Sequence, residues 1–217
     1  MKVVLITSLE KEFDKKLARI FAREGYKTYA IGNEKINGVA LLPSELKEAA
    51  ATIQNESGLI DIYIDVSDKR SSQDNFDVRS GINEQVMREL YNANVIKPMS
   101  MLETFFPLLE TGQGKRICYI TSAQASINET KDTNGYAYKM AKAALHNFLQ
   151  ITRNALAPKN YTIRVYDPMD NEISAQSSAE AAFNYFTRGR GVERGDEKRD
   201  DENNLVFRDA YGKQHAW

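Results

Sequence analysis

Short apolar runs alternate along this chain with longer stretches whose apolar residues recur every three or four positions. Residues 2–7 form the first such run, and 12–24 follow with Phe13, Leu17, Ile20 and Phe21 at helical spacing, so the pattern predicts a strand and then a helix. Gly25 closes that helix, and 27–31 predict a second strand. A weak strand at 39–42 leads through Pro43, Ser44 and Glu45 into a helix ending near Gln54. A stronger strand follows at 59–66, then a polar loop over 67–79, a long helix at 83–109 and a fifth strand at 116–121. The helix carrying Tyr138 runs to about Ala157, 161–166 is strand six, 177–187 is helical, and 205–207 is a last strand. Buried-type strands alternating with helices predict an α/β fold with a doubly wound parallel sheet, which places ligands at the carboxyl ends of its strands.

The length of 217 residues sets the whole chain, 1–217, as a single domain with one continuous core. Lys and Arg number 29 against 30 Asp and Glu, for a formal net charge of -1. That balance supplies no global basic field, so nucleic acid is not an expected partner. Cys118 is the one cysteine and lies in a predicted strand, which excludes a disulfide framework and points to a reducing, cytoplasmic setting. With His146 and His215 as the two histidines, no metal site is expected. The apolar run at residues 3–6 is too short for a signal peptide, and no segment reads as a membrane span. Residues 188–204 mix Gly, Arg, Glu and Asp with few apolar positions, so they read as a mobile, solvated loop. Its Arg188, Arg190 and Arg194 offer a lesser reading as anion contacts.

The candidate chemistry lies in Thr121-Ser122 and in Tyr138-Lys139-Met140-Ala141-Lys142. Tyr138 and Lys142, four apart in a helix, share a face. An ammonium beside a phenol favours the phenolate, which would bring a group that titrates near pH ~10 closer to neutrality. Ser122, ending a strand, would hold a carbonyl or alkoxide oxygen against that phenol. In the long helix, Pro98 lacks an N–H and crowds the carbonyl four residues back, so it releases the carbonyl of Asn94.

Ile120-Thr121-Ser122, the Tyr-x-x-x-Lys pair running into Ala143-Ala144-Leu145, and Asn94 before Pro98 together resemble the short-chain dehydrogenase/reductase family. The gap from Ser122 to Tyr138 is 16 residues, which an enlarged loop accommodates. The resemblance implies a single Rossmann-like three-layer domain and an oxidoreductase acting on a small carbonyl or alcohol with NAD or NADP. In it Tyr138 is the general acid and base, Lys142 lowers its pKa and orients cofactor ribose, Ser122 holds the substrate oxygen and Asn94 holds a relay water. It also implies a homodimer or homotetramer, with Phe105, Phe106, Leu145, Phe148 and Leu149 available to an interface or, equally, to the core.

The resemblance departs at the cofactor end. The three glycine places of the family's first turn, counted from Thr7, hold Ser8, Glu12 and Asp14, and an inward carboxylate there would repel a diphosphate. Acidic residues also stabilise the first turn of any helix, and Lys11, Lys15 or Lys16 could instead supply attraction. Asn33 follows strand two without favouring NAD or NADP, and Asp65-Val66-Ser67-Asp68 replaces the family's Asn-Asn-Ala-Gly. Pro168 keeps the first place of a Pro-Gly pair, and Ile173 falls where the family has threonine, with Ser174 beside it. The cofactor contacts implied are thus Thr7, Ser8, Asn33, Asp65 and Pro168. Two further readings follow from the same departures: a non-catalytic relative used for association or ligand sensing, and a redox-independent enzyme akin to halohydrin dehalogenases, which carry Arg where this chain has Lys142.

Overall fold

A computed structural model of the chain describes residues 1–76, 79, 81–170, 172–188 and 201–217. Seven parallel strands form one sheet in the order β3-β2-β1-β4-β5-β6-β7. They are β1 (Val3–Ile6), β2 (Lys27–Ile31), β3 (Val39–Leu42), β4 (Ile62–Asp65), β5 (Arg116–Ile120), β6 (Thr162–Asp167) and β7 (Phe207–Asp209). The order reverses between β1 and β4, which pair directly through Val4 with Ile62 and Ile6 with Ile64. The chain leaving their carboxyl ends turns to opposite faces of the sheet, and a crevice lies between the two loops. Every residue of β1, β4 and β6 is buried, as expected of strands covered on both faces.

One sheet face packs on α1 (Glu12–Arg23) and α6 (Ala175–Thr187) through Phe13, Leu17, Phe21, Ala179, Ala182 and Phe186. The other face packs on α2 (Leu46–Glu56), α4 (Lys97–Thr111) and α5 (Tyr136–Leu156). Phe105, Leu145 and Leu149 are completely buried in this second layer, and Phe106 and Phe148 pack against it. Phe105, Leu145 and Leu149, considered for a subunit interface, therefore belong to the core, while Phe106 and Phe148 are only partly covered by it.

The long helix expected over 83–109 is divided. α3 (Glu84–Tyr91) passes into a π turn at Asn92–Ile96, where the Lys97 amide donates to the Asn92 carbonyl five residues back, and α4 follows. The wider turn makes room for Pro98 in the first turn of α4. Strand β7 begins two residues later than expected, and the turn at Asp209–Gly212 closes through Gly212 N–H on the Asp209 carbonyl, 2.9 Å.

Of the charged stretch 188–204, residues 189–200, including Arg190 and Arg194, lie outside the described residues. Its ends are anchored: Arg188 pairs with Asp201 at 2.8 Å, and Glu202 pairs with Arg116 at 2.8 Å and with Arg164. Asp201 is 2% exposed. Among the described residues no helix is long and apolar enough to cross a membrane.

Candidate active site

Ser122 leaves β5 as the cap of a short 3-10 turn, Ala123–Ala125, and the loop to residue 135 returns the chain to α5. Gly135 enters that helix at φ 72, a left-handed conformation that glycine adopts without strain. The helix carries no cap of its own. Asp74, from the loop after β4, supplies one by accepting the amides of Ala137 at 3.0 Å and Tyr138 at 2.8 Å. This remote carboxylate fixes the first turn of α5 and with it the Tyr138 ring.

Tyr138 and Lys142 share a helix face, and Ser122 lies close enough to the phenol to ease its ionisation, so the three expected groups gather in one place. All three are buried, with Lys142 fully inaccessible. The ammonium does not bond to the phenol, however. Lys142 Nζ lies 5.9 Å from the ring centroid, donates to the Ser67 carbonyl at 2.6 Å and pairs with Asp68 Oδ1 at 3.3 Å.

Asp68 is the centre of the site. Its side chain, 5% exposed, accepts the Tyr138 hydroxyl at 2.5 Å and Lys11 Nζ at 2.5 Å. Arg70 covers the Tyr138 ring at 4.3 Å, donates to the phenol oxygen at 3.0 Å and lies 3.5 Å from Asp68. Burial opposes the charge on Asp68, yet Lys142 and Lys11 hold its carboxyl well below the usual carboxylate range. Burial and then the Asp68 charge push the Tyr138 phenol well above the usual tyrosine range, with Arg70 and Ser122 giving only partial relief. Burial likewise lowers Lys142, against the opposing pull of Asp68 and Asp65. The expected lowering of the Tyr138 pKa by Lys142 is therefore reversed in this arrangement: the nearest full charge to the phenol is negative.

Asn94 is fully buried in the π turn. Its side chain accepts the Lys69 amide at 2.9 Å and donates to the Lys69 carbonyl at 2.8 Å and to the Leu90 carbonyl at 3.0 Å. It is a staple on the loop that carries Asp68. Sequence reasoning assigned importance to Asn94 through its backbone carbonyl; its amide side chain adds a structural role that the sequence did not suggest.

A cavity of about 500 Å³ opens over the ends of β1 and β4, lined by Thr7, Ser8, Lys11, Ser67, Asp68 and Arg70 among others. Thr7 Oγ1 accepts the Val66 amide at 3.1 Å and Ser8 Oγ accepts the Glu10 amide at 3.2 Å. Asp65 does not line the cavity: fully buried, it accepts the Ser67 amide at 2.9 Å and the Tyr63 hydroxyl at 3.1 Å. Asn33 is exposed outside that lining, and the Pro168 carbonyl accepts Ser178 Oγ at 2.7 Å. Of the five expected cofactor contacts, Thr7 and Ser8 face the crevice; Asp65, Asn33 and Pro168 do not line it. A larger hollow, about 670 Å³, lies between α6 and β7 beside Tyr185, Arg188 and Arg208, and none of the proton-transfer groups lines it.

In this arrangement the crevice does not fit a dinucleotide. Asp14, 2% exposed, accepts the Lys11 amide at 2.9 Å at the start of α1, placing a carboxyl where a diphosphate needs donors. Burial drives that carboxyl up to about 7. Lys11, the cation best placed to compensate, is turned to Asp68 and, at 3.3 Å, to Asp170. Lys15 pairs with Glu34 at 2.5 Å and Glu12 at 3.1 Å.

Sequence reasoning missed the part played by Asp68 and Asp74. The signal for Asp68 was present, since a carboxylate occupies the last place of the family's Asn-Asn-Ala-Gly, but only tertiary packing shows it meeting Tyr138.

A carbonyl reductase from Pseudomonas aeruginosa, solved in complex with NADP, superposes over 100% of both chains with a TM-score of 0.77 at 18% identity. The carbonyl reductase Sniffer of Drosophila melanogaster superposes over 100% of both with a TM-score of 0.80 at 14% identity. Among curated proteins, the C-signal of Myxococcus xanthus is 27% identical over 82 residues, covering 38% of this chain and 49% of that protein. The uncharacterized oxidoreductase YKL071W of Saccharomyces cerevisiae is 30% identical over 78 residues, covering 36% of this chain and 30% of that protein. The matched segments thus span half or less of these relatives. The family description "short chain dehydrogenase" matches residues 2–180, and the chain belongs to the short-chain dehydrogenase family.

Proposed function

We propose that the protein is an oxidoreductase of the short-chain type whose proton-transfer centre, Ser122, Tyr138 and Lys142 with Asn94 behind it, serves a small carbonyl or alcohol. The observation that carries this reading is the gathering of Ser122, Tyr138 and Lys142, all buried, at the carboxyl end of the sheet, with Tyr138 and Lys142 meeting the same Asp68 carboxylate. A carbonyl oxygen held by Ser122 Oγ would take its proton from the Tyr138 hydroxyl as negative charge develops on it. Lys142 would then stabilise the phenolate left behind, a role that requires Asp68 to have moved. Family membership and the carbonyl reductases of the same fold support the reaction class.

The reading requires a reduced nicotinamide to enter a crevice lined by the carboxyls of Asp14 and Asp68. Calorimetric titration with NADH and then NADPH tests it directly. Micromolar binding of either supports the oxidoreductase and calls for a screen of small carbonyls. Absence of binding to the folded protein, in both the natural chain and a variant opened at Asp68, overturns it.

A second reading, a non-catalytic relative used for association or ligand sensing, draws on one observation: Tyr138, Lys142 and Lys11 are all satisfied by a carboxylate of the chain itself. An opened variant that binds a small ligand without turning it over would favour it.

A further inference from the structure

We propose that Asp68 is an internal latch: its carboxylate holds Tyr138, Lys142, Lys11 and Arg70 together and must swing out before the centre can meet an outside oxygen or phosphate. The inference builds on the reading of Tyr138 as the proton donor, but the latch itself is a set of contacts independent of any reaction.

Four groups from three parts of the fold converge on one side chain. Lys11 comes from the start of α1, Tyr138 and Lys142 from α5, and Arg70 from the loop of Asp68 itself. The contacts tie α1 to α5 along one wall of the crevice. It also consumes the one hydroxyl hydrogen of Tyr138, which, while directed to Asp68, is not available to a substrate carbonyl. The backbone position of the latch is fixed by Asn94, which grips both the amide and the carbonyl of Lys69 next to it.

The charged surroundings set what opening would do. The groups around the phenol and the latch are Lys11 from α1, Asp65 at the end of β4, Arg70 and Asp74 from the following loop, Ser122 after β5, Lys142 in α5 and Asp170 after β6. With the Asp68 charge withdrawn, Lys142 and Arg70 lose this paired carboxylate, and Lys11 keeps Asp170 at 3.3 Å. The local field then favours a phenolate at Tyr138 and an anion, such as a nucleotide phosphate, beside Lys11.

The test is the ionisation of Tyr138, followed by NMR in protein carrying ¹³Cζ-tyrosine, with its resonance assigned by its loss in Tyr138→Phe. In the natural chain Tyr138 should stay protonated beyond the ordinary tyrosine range. Asp68→Asn should weaken its proton affinity by about tenfold or more, and Asp68→Glu, which returns the charge, should restore it. Titrations that coincide for the natural chain and Asp68→Asn overturn the latch. If the Asn variant does not fold, Asp68→Ser is read by the same criterion.

NADPH titration of the opened variant separates this inference from the preceding reading. Binding gained on removing the carboxylate supports both. A shifted Tyr138 with no NADPH binding keeps the latch and overturns the oxidoreductase.

Discussion

Tyr138 illustrates how one phenol takes its properties from neighbours distant in sequence. The helix spacing that brings Lys142 to its face would by itself ease ionisation, but Asp68, 70 residues earlier, stands closer and acts in the opposite sense. Tyr138→Phe separates catalysis from structure. Because Asp68 keeps Lys11 and Lys142 when the hydroxyl is removed, no buried charge is stranded, and the cost in stability should be about 1 kcal/mol, read by urea unfolding. Turnover of any carbonyl that the natural chain reduces should fall by about 10²-fold or more. A Phe variant of undiminished activity would remove Tyr138 from the reaction. The Ser122–Tyr138–Lys142 set was legible in the sequence because i, i+4 spacing and a strand end are local features. Asp68 and Asp74 were not, since their partners are set by where a polar loop lies across α5.

At the scale of elements, the segment from α3 to α4 shows how a backbone irregularity does structural work. Pro98 was expected to free a carbonyl in one long helix; the chain instead widens into a π turn at Asn92–Ile96. That turn places the fully buried Asn94 amide against the loop after β4, where it makes three hydrogen bonds to backbone groups. Asn94→Leu would leave the Lys69 amide and carbonyl without these partners. We expect a loss of about 2–4 kcal/mol and faster hydrogen exchange at the Lys69 amide than at the amides of β4. Equal protection of Lys69 in both proteins would show that the loop is held by other contacts. The same reasoning explains the anchored ends of the charged stretch near the carboxyl terminus. Low apolar content suggested solvation, but Arg116 and Arg164, inside β5 and β6, require carboxylates, and Glu202 provides one to both.

Over the whole molecule, two buried titrating groups should set the pH dependence of stability. Burial lowers His146, which meets Thr121 Oγ1 at 2.7 Å, from 6.5 to about 3. The unfolded chain therefore takes up a proton that the folded chain refuses, and stability falls as pH drops from about 6.5 toward 3. Asp14 acts with the opposite sign: its folded value of about 7 against 3.8 means that the folded chain keeps a proton the unfolded chain has lost, so stability falls as pH rises between those values. Each slope is about 1.4 kcal/mol per pH unit, and over the shared interval they largely cancel. Asp14→Asn should expose the His146 slope and lose stability steadily on acidification from pH 6.5 to 4.5. His146→Gln should expose the Asp14 slope and gain stability over the same interval, both measured by urea unfolding. Parallel curves for the two variants would contradict these assignments. The sequence by itself determined the layered parallel fold, the strand ends that form the crevice and the hydroxyl-phenol-ammonium set, because apolar periodicity and short-range spacing encode them locally. Tertiary structure alone decided that carboxylates line the crevice, that the Asp68 charge stands beside the Tyr138 phenol and that the Asn94 side chain holds the loop after β4. Each of those depends on the distance between charges or amides carried by separate loops, and electrostatic and hydrogen-bond energies follow that distance rather than the order of residues.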